Sequence, residues 1–158
     1  MISFAVLVSS CTSAENSGPL DFGSEKSTVC GPLPDFGEAA LGVNLPNGLP
    51  RGVTIETVSL INARGVEFQG AYLMPMQGFR LMLDKFPPTS QFPYEWAQAI
   101  EAEGAVVRSN GPYDIVVHVI SEEAGGTLDG IRIEYSFEGV RYSDDSMLGL
   151  RLSRTGCE

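Results

Sequence analysis

Ile131, Ile133, Tyr135 and Phe137 alternate with Arg132, Glu134, Ser136 and Glu138. A period of two sends successive side chains to opposite faces, so the run predicts a β-strand with one face in a core and one in water. Gly139 then turns the chain into a partner over 140–143, and Leu148, Leu150 and Leu152 alternate with Gly149, Arg151 and Ser153 as a last strand. Residues 114–120, after the opening Asp114, are apolar on both faces except for His118, which predicts an interior strand. Nearer the start, 38–43 predicts a first strand, closed by a turn-rich stretch that holds Asn47-Gly48. In 53–61, Val53, Ile55 and Thr57 share one face while Val58 and Leu60 take the other, a change of phase that predicts a bulge or a strand crossing between sheets. Asn62-Ala63-Arg64-Gly65 turns into 66–74 and completes a hairpin.

Residues 78–83 predict one more short strand. The stretch 95–103 carries helical spacing, with Trp96, Ala99 and Ile100 on one side, Pro93 near its start and Gly104 just past its end. About seven or eight strands with at most one short helix predict an all-β fold, and within that class an immunoglobulin-like β-sandwich. The Cys…Trp…Cys arrangement usual in that sandwich is absent, and a lipocalin-like barrel is the open alternative. Residues 12–29 differ in kind: Ser, Gly, Thr and charge with little to bury, the composition of a flexible tether. A coil of that length reaches about 25 Å.

The chain opens on an apolar run, Ile2-Ser3-Phe4-Ala5-Val6-Leu7-Val8, followed by Ser9-Ser10-Cys11. The run is too short to cross a bilayer, which takes about 20 residues. Val8-Ser9-Ser10-Cys11 resembles the lipobox of bacterial lipoproteins, in which small side chains fit the signal peptidase and the Cys thiol takes the lipid. No Lys or Arg precedes the run, so the positive end of the signal is the chain's own amine. The other reading of the same residues is a buried N-terminal strand that ends in Ser-Ser-Cys. The resemblance implies that 1–10 is a signal peptide, that 11–29 is the lipid-attachment Cys with its tether, and that 30–158 is the folded domain. It extends to small actinobacterial lipoproteins with an immunoglobulin-like β-sandwich. It further implies an extracytoplasmic protein held at the cell membrane by two or three acyl chains on Cys11, since stable anchoring takes more than one. Thr12, standing where Asp would retain the protein, implies sorting to the outer membrane if the source is diderm.

The chain has three cysteines, Cys11, Cys30 and Cys157. An odd count in an exported protein calls for an explanation of the odd thiol. With Cys11 acylated, Cys30 and Cys157 are left to form a disulfide across the domain; two unrelated thiols are the alternative. Such a bridge persists in an oxidising compartment, in agreement with export.

Twenty acids against ten bases give a net charge of −10. Such a surface repels phosphate backbones, so nucleic acid is not an expected partner. No Gly-x-Ser-x-Gly elbow, phosphate-binding Gly loop or His-Glu-x-x-His helix is present in the sequence. The single histidine, His118, reads as a core or sheet-face residue more readily than as a catalytic one. Cysteine spacing and the lone His do not suit zinc, and no cofactor or metal is expected. Glu122-Glu123, Asp129 and Asp144-Asp145 read as solvated loop carboxylates, with a calcium site as the sharper alternative. The stretch 86–96 is the strongest candidate for partner contact: three prolines stiffen it, and Phe86, Phe92, Tyr94 and Trp96 supply apolar area. Those rings would otherwise serve as a satellite core. Taken together, the residues point to a non-enzymatic interaction or binding domain at the cell envelope with an envelope protein as partner. An envelope enzyme or small-ligand carrier using the loop carboxylates and His118 is the alternative.

Overall fold

The computed structural model describes residues 18–32, 37–108 and 111–157. The expected signal peptide and Cys11 lie outside the described residues. The chain forms an all-β domain with eleven strands in three sheets and one four-residue helix among the described residues. In chain order the elements are β1 (Ser27–Pro32), β2 (Glu38–Asn44), β3 (Thr54–Ile61), β4 (Val66–Pro75), β5 (Leu83–Lys85), α1 (Pro93–Trp96), β6 (Ile100–Glu101), β7 (Tyr113–Ser121), β8 (Gly126–Leu128), β9 (Gly130–Phe137), β10 (Val140–Ser146) and β11 (Leu148–Ser153).

The largest sheet runs β5-β2-β7-β4-β6, with β7 at its centre as its apolar character on both faces requires. Ile115, Val117 and Val119 of β7 face the main core together with Ala39, Leu41 and Val43 of β2. Opposite them stand Ile131, Ile133 and Tyr135 of β9, the alternating set read from sequence, all fully buried. In sheet β10-β9-β3 a two-residue hairpin joins β9 to β10, and its Glu138 and Gly139 both have positive φ, 50° and 77°. That geometry is a type I′ turn, whose twist matches the flanking strands. The phase change in β3 is a bulge: its register to β9 shifts between Ile55 and Thr57. The third sheet is β1-β11-β8, with β1 running parallel to β11 and Leu128, Leu150 and Leu152 in the main core.

Cys30 of β1 and Cys157 form a disulfide that spans 127 residues of sequence. Part of the stretch expected as a tether is built into the domain. Leu20 is fully buried in the main core, its N–H donates to the Tyr135 hydroxyl at 3.1 Å, and β1 begins at Ser27. Burial and then the bond to Asp144 raise the Tyr135 phenol above its ordinary value of 10.0, so it stays protonated and donates to the Asp144 carboxylate.

Three expectations differ. The expected hairpin of 53–61 with 66–74 does not form: β3 pairs with β9 and β4 with β7, in separate sheets. Residues 78–83 form no strand apart from Leu83: Arg80 is drawn to Asp114 on β7, and the Leu81 backbone lies against Gly42 of β2. Gly42 permits that approach: a Cβ on it would lie 2.1 Å from the Leu81 carbonyl oxygen, and its N–H donates to the Met82 carbonyl. The expected helix over 95–103 is a single turn that starts earlier, at Pro93. Trp96 and Ala99 do pack on one side, but Ile100 and Glu101 leave the helix to pair with Leu73 and Tyr72 at the edge of β4.

Candidate functional site

The outer face of the five-stranded sheet carries its own apolar cluster: Ala40, Val116, Met74, Met76, Leu81 and Phe92. Period-two alternation puts Ala40 and Val116 there while their neighbours enter the main core. The stretch 86–96 lies over this face. Phe92 is buried, at 8% exposure, and Phe86 and Trp96 are half-buried against the same cluster. Tyr72 of β4, Phe86 and Trp96 meet with ring centroids 5.0–5.7 Å apart, two of the three pairs edge-on. Only Tyr94 of the four candidate contact residues points mostly to water, at 79% exposure. The rings therefore do structural work first, and the outward surface of this segment is narrower than its sequence suggests.

Phe92→Ser is expected to lower stability by about 3 kcal/mol, from lost transfer energy and an unfilled cavity. Tyr94→Ser should change it by less than about 0.5 kcal/mol. Thermal melts of the two variants separate the roles; equal, small shifts would mean that Phe92 is not a core residue.

His118 stands on this same outer face. Its ring stacks on Phe86 at 3.6 Å with 6° between planes, and its Nε2 lies 3.2 Å from a Glu38 carboxylate oxygen. Glu38 and His118 occupy outer positions on neighbouring strands β2 and β7. The imidazole is 14% exposed and has one carboxylate within hydrogen-bond reach, not the two that an acid–base pair of carboxylates would add. Sequence spacing could not pair residues 38 and 118; only the register of β2 on β7 brings them together.

The acidic groups fall apart in space. Asp145 forms a bidentate pair with Arg132, Asp144 accepts from Tyr135, Asp129 accepts from Asn62, and Glu123 faces Arg154 at 3.9 Å. Asp144 and Asp145 belong to β10 and not to a loop. Among the described residues no three His, Cys, Asp or Glu side chains gather as a metal site would require. A buried carboxylate that the sequence reading missed is Asp114, fully enclosed on β7. It accepts from Arg80 at 2.6 Å, from the Leu81 N–H at 3.0 Å and from Asn44 at 3.0 Å. Burial pushes its carboxyl up from 3.8, while Leu81, Arg80 and Asn44 pull it back. Its partners make it a clamp on residues 76–83.

A groove of about 420 Å³ opens between the edges of β3 and β4, on the far side of β4 from β7. Thr57 and Val58 line it from β3, Phe68 to Tyr72 from β4, and Glu101 and Glu103 from the segment after α1. Although β3 and β4 are consecutive and joined by a short turn, they belong to different sheets, and this splay creates the gap. Its volume lies within the range of small-ligand sites, about 300–1,000 Å³. The two bulges fall at its walls, one between Ile55 and Thr57 and one between Phe68 and Gly70. The bulge in β3 was legible as a phase change; the groove was not, because a hairpin is the ordinary expectation for two strands joined by a tight turn.

No protein-family model, no curated protein and no solved structure matches the chain.

Proposed function

We propose that this chain is an exported, lipid-anchored binding domain of the cell envelope, attached through Cys11 and built as an immunoglobulin-like sandwich. The observation that carries this reading is the disulfide between Cys30 and Cys157. Such bridges belong to oxidising compartments, and this one leaves Cys11 as the odd thiol, directly behind the small residues Ser9 and Ser10. The sandwich is supported by a main core that draws Val117, Ile133 and Leu150 from three different sheets. Binding without chemistry is the simpler use of a surface whose His118 has Glu38 and Phe86 as neighbours and, among the described residues, no second carboxylate in hydrogen-bond reach. An envelope enzyme or small-ligand carrier would need such a group beside His118.

The span from Cys11 to Gly18 is at most about 25 Å when fully extended, at roughly 3.3–3.6 Å per residue. With Leu20 held in the core, an anchor on Cys11 keeps the domain close to the headgroups. Net charge −10 adds no attraction to anionic lipid, so attachment rests on the acyl chains. In a bacterial host that processes lipoproteins, Cys11→Ser should move the protein from the membrane fraction to the soluble extracytoplasmic one. Recovery of the parent chain from the cytosol, or of the variant from the membrane, contradicts the reading.

A further inference from the structure

We infer that the groove between β3 and β4 takes an extended, Lys- or Arg-bearing segment of a partner protein as an added β-strand. The inference goes beyond the anchoring proposed above and does not depend on acylation of Cys11.

The groove is closed at both ends and open in the middle. At one end the turn 62–65 joins β3 to β4. At the other, the segment after α1 bridges the two strands: the Ala102 N–H donates to the Ala71 carbonyl, the Ile55 N–H to the Ala105 carbonyl, and the Gly104 N–H to the Ile55 carbonyl. This protein thus already fills part of the gap with an extended strip of its own backbone. Between those ends, residues 57–60 of β3 and 67–69 of β4 make no backbone hydrogen bond across the gap among the described residues. Each strand is paired on its other edge, β3 by β9 and β4 by β7. Two facing rows of unused N–H and C=O groups are a template for a strand, and addition there satisfies both rows together. The outer edge of β10 is also unpaired, but it offers a single row and no second wall.

The floor and rim define what the strand carries. Val58 and Ala71 are half-buried and pack on the main core, so the gap exposes a slot of that core. Phe68 stands beside it at 38% exposure. An inward aliphatic side chain of the added strand would cover this slot. On the rim, Glu101 and Glu103 are exposed, and neither is ion-paired among the described residues. Glu134, next to Thr57 through a hydrogen bond, adds a third carboxylate near the β3 wall. Among the described residues no Lys or Arg lines the groove. The cations beside the β3 wall, Arg132 and Arg141, are paired to Asp145 and Glu56. Outward side chains of the guest therefore meet the unpaired Glu101 and Glu103, and alternation of small aliphatic with basic residues matches both faces. A guest of about three to five residues spans the open edges at roughly 3.3 Å per residue.

The test uses the full-length, disulfide-intact chain and the peptide acetyl-Val-Lys-Val-Lys-Val-amide, followed by amide hydrogen exchange resolved by residue. The expected result is slowed exchange at 57–60 and 67–69, and about fivefold weaker binding to Glu101→Gln/Glu103→Gln, since exposed charges steer and hold a ligand only modestly. Both glutamates are exposed, so that variant should fold as the parent does. The Val-Glu counterpart should give no protection. Three results overturn the inference: equal binding by a peptide N-methylated on its backbone, protection at the β10 edge in place of the groove, or protection that rises with protein concentration alone, which would make a second copy of this chain the occupant.

Discussion

Replacing both Cys30 and Cys157 with serine is expected to remove up to about 5 kcal/mol of stability, the chain-entropy value for a loop of more than a hundred residues. The loop spans 127 residues, so the restraint on the unfolded chain is near the upper end for a single bridge. The loss should also be uneven. Among the described residues strand β1 pairs only with β11, through a parallel ladder from Ser27–Leu148 to Pro32–Ser153, and the bridge ties β1 to the tail just beyond β11. Without it, amide exchange should rise first in β1 and in residues 20–22, while β7 at the centre of its sheet keeps its protection until global unfolding. Denaturant melts of the double variant check the magnitude, and exchange checks the order. A variant within about 1 kcal/mol of the parent, with β1 protected, would mean that the ladder holds the first strand unaided.

Asp114→Ala is the second large loss expected, about 3–5 kcal/mol. Asp114 is completely enclosed and Arg80 is 22% exposed, so the substitution leaves a largely desolvated guanidinium with backbone carbonyls and Asn47 as its remaining partners. It also strips the Leu81 N–H of its acceptor and leaves the Asn44 amide with the Leu81 carbonyl at 3.4 Å. An unsatisfied buried donor costs about 1–3 kcal/mol by itself. The buried pair need not be net stabilising against an apolar replacement, and that distinction is measurable. Arg80→Met/Asp114→Leu should cost far less than Asp114→Ala alone, because it removes both charges together. If the double replacement proves as damaging as the single one, the pair supplies more than mutual neutralisation.

The parts of the fold legible in the sequence are those set by local alternation. Ile131, Ile133 and Tyr135 read as inward residues because the strand's own period decides their side, and the structure buries all three. The bulge in β3 announced itself as a change of phase between Ile55 and Val58. What stayed hidden depends on distant partners. Leu20 is one apolar residue in a polar stretch, and its burial follows from the Tyr135 hydroxyl 115 positions away. Arg80 prevents a strand over 78–83 only because Asp114 waits on β7. The helical spacing of Trp96, Ala99 and Ile100 was real but short-ranged; an open edge on β4 captured Ile100 and Glu101 instead. At the candidate site, sequence located the aromatic stretch 86–96 but not the direction of its rings. Phe92 turned inward because Met74, Met76 and Val116 leave the outer face of the sheet apolar.

Intact-mass measurement of the natively expressed protein tests the central proposal most directly. The expected chain begins at Cys11, carries diacylglycerol on that sulfur, and is lighter by two hydrogens for the bridge between Cys30 and Cys157. A full-length chain starting at Met1, with no lipid and with free thiols at all three cysteines, would contradict it.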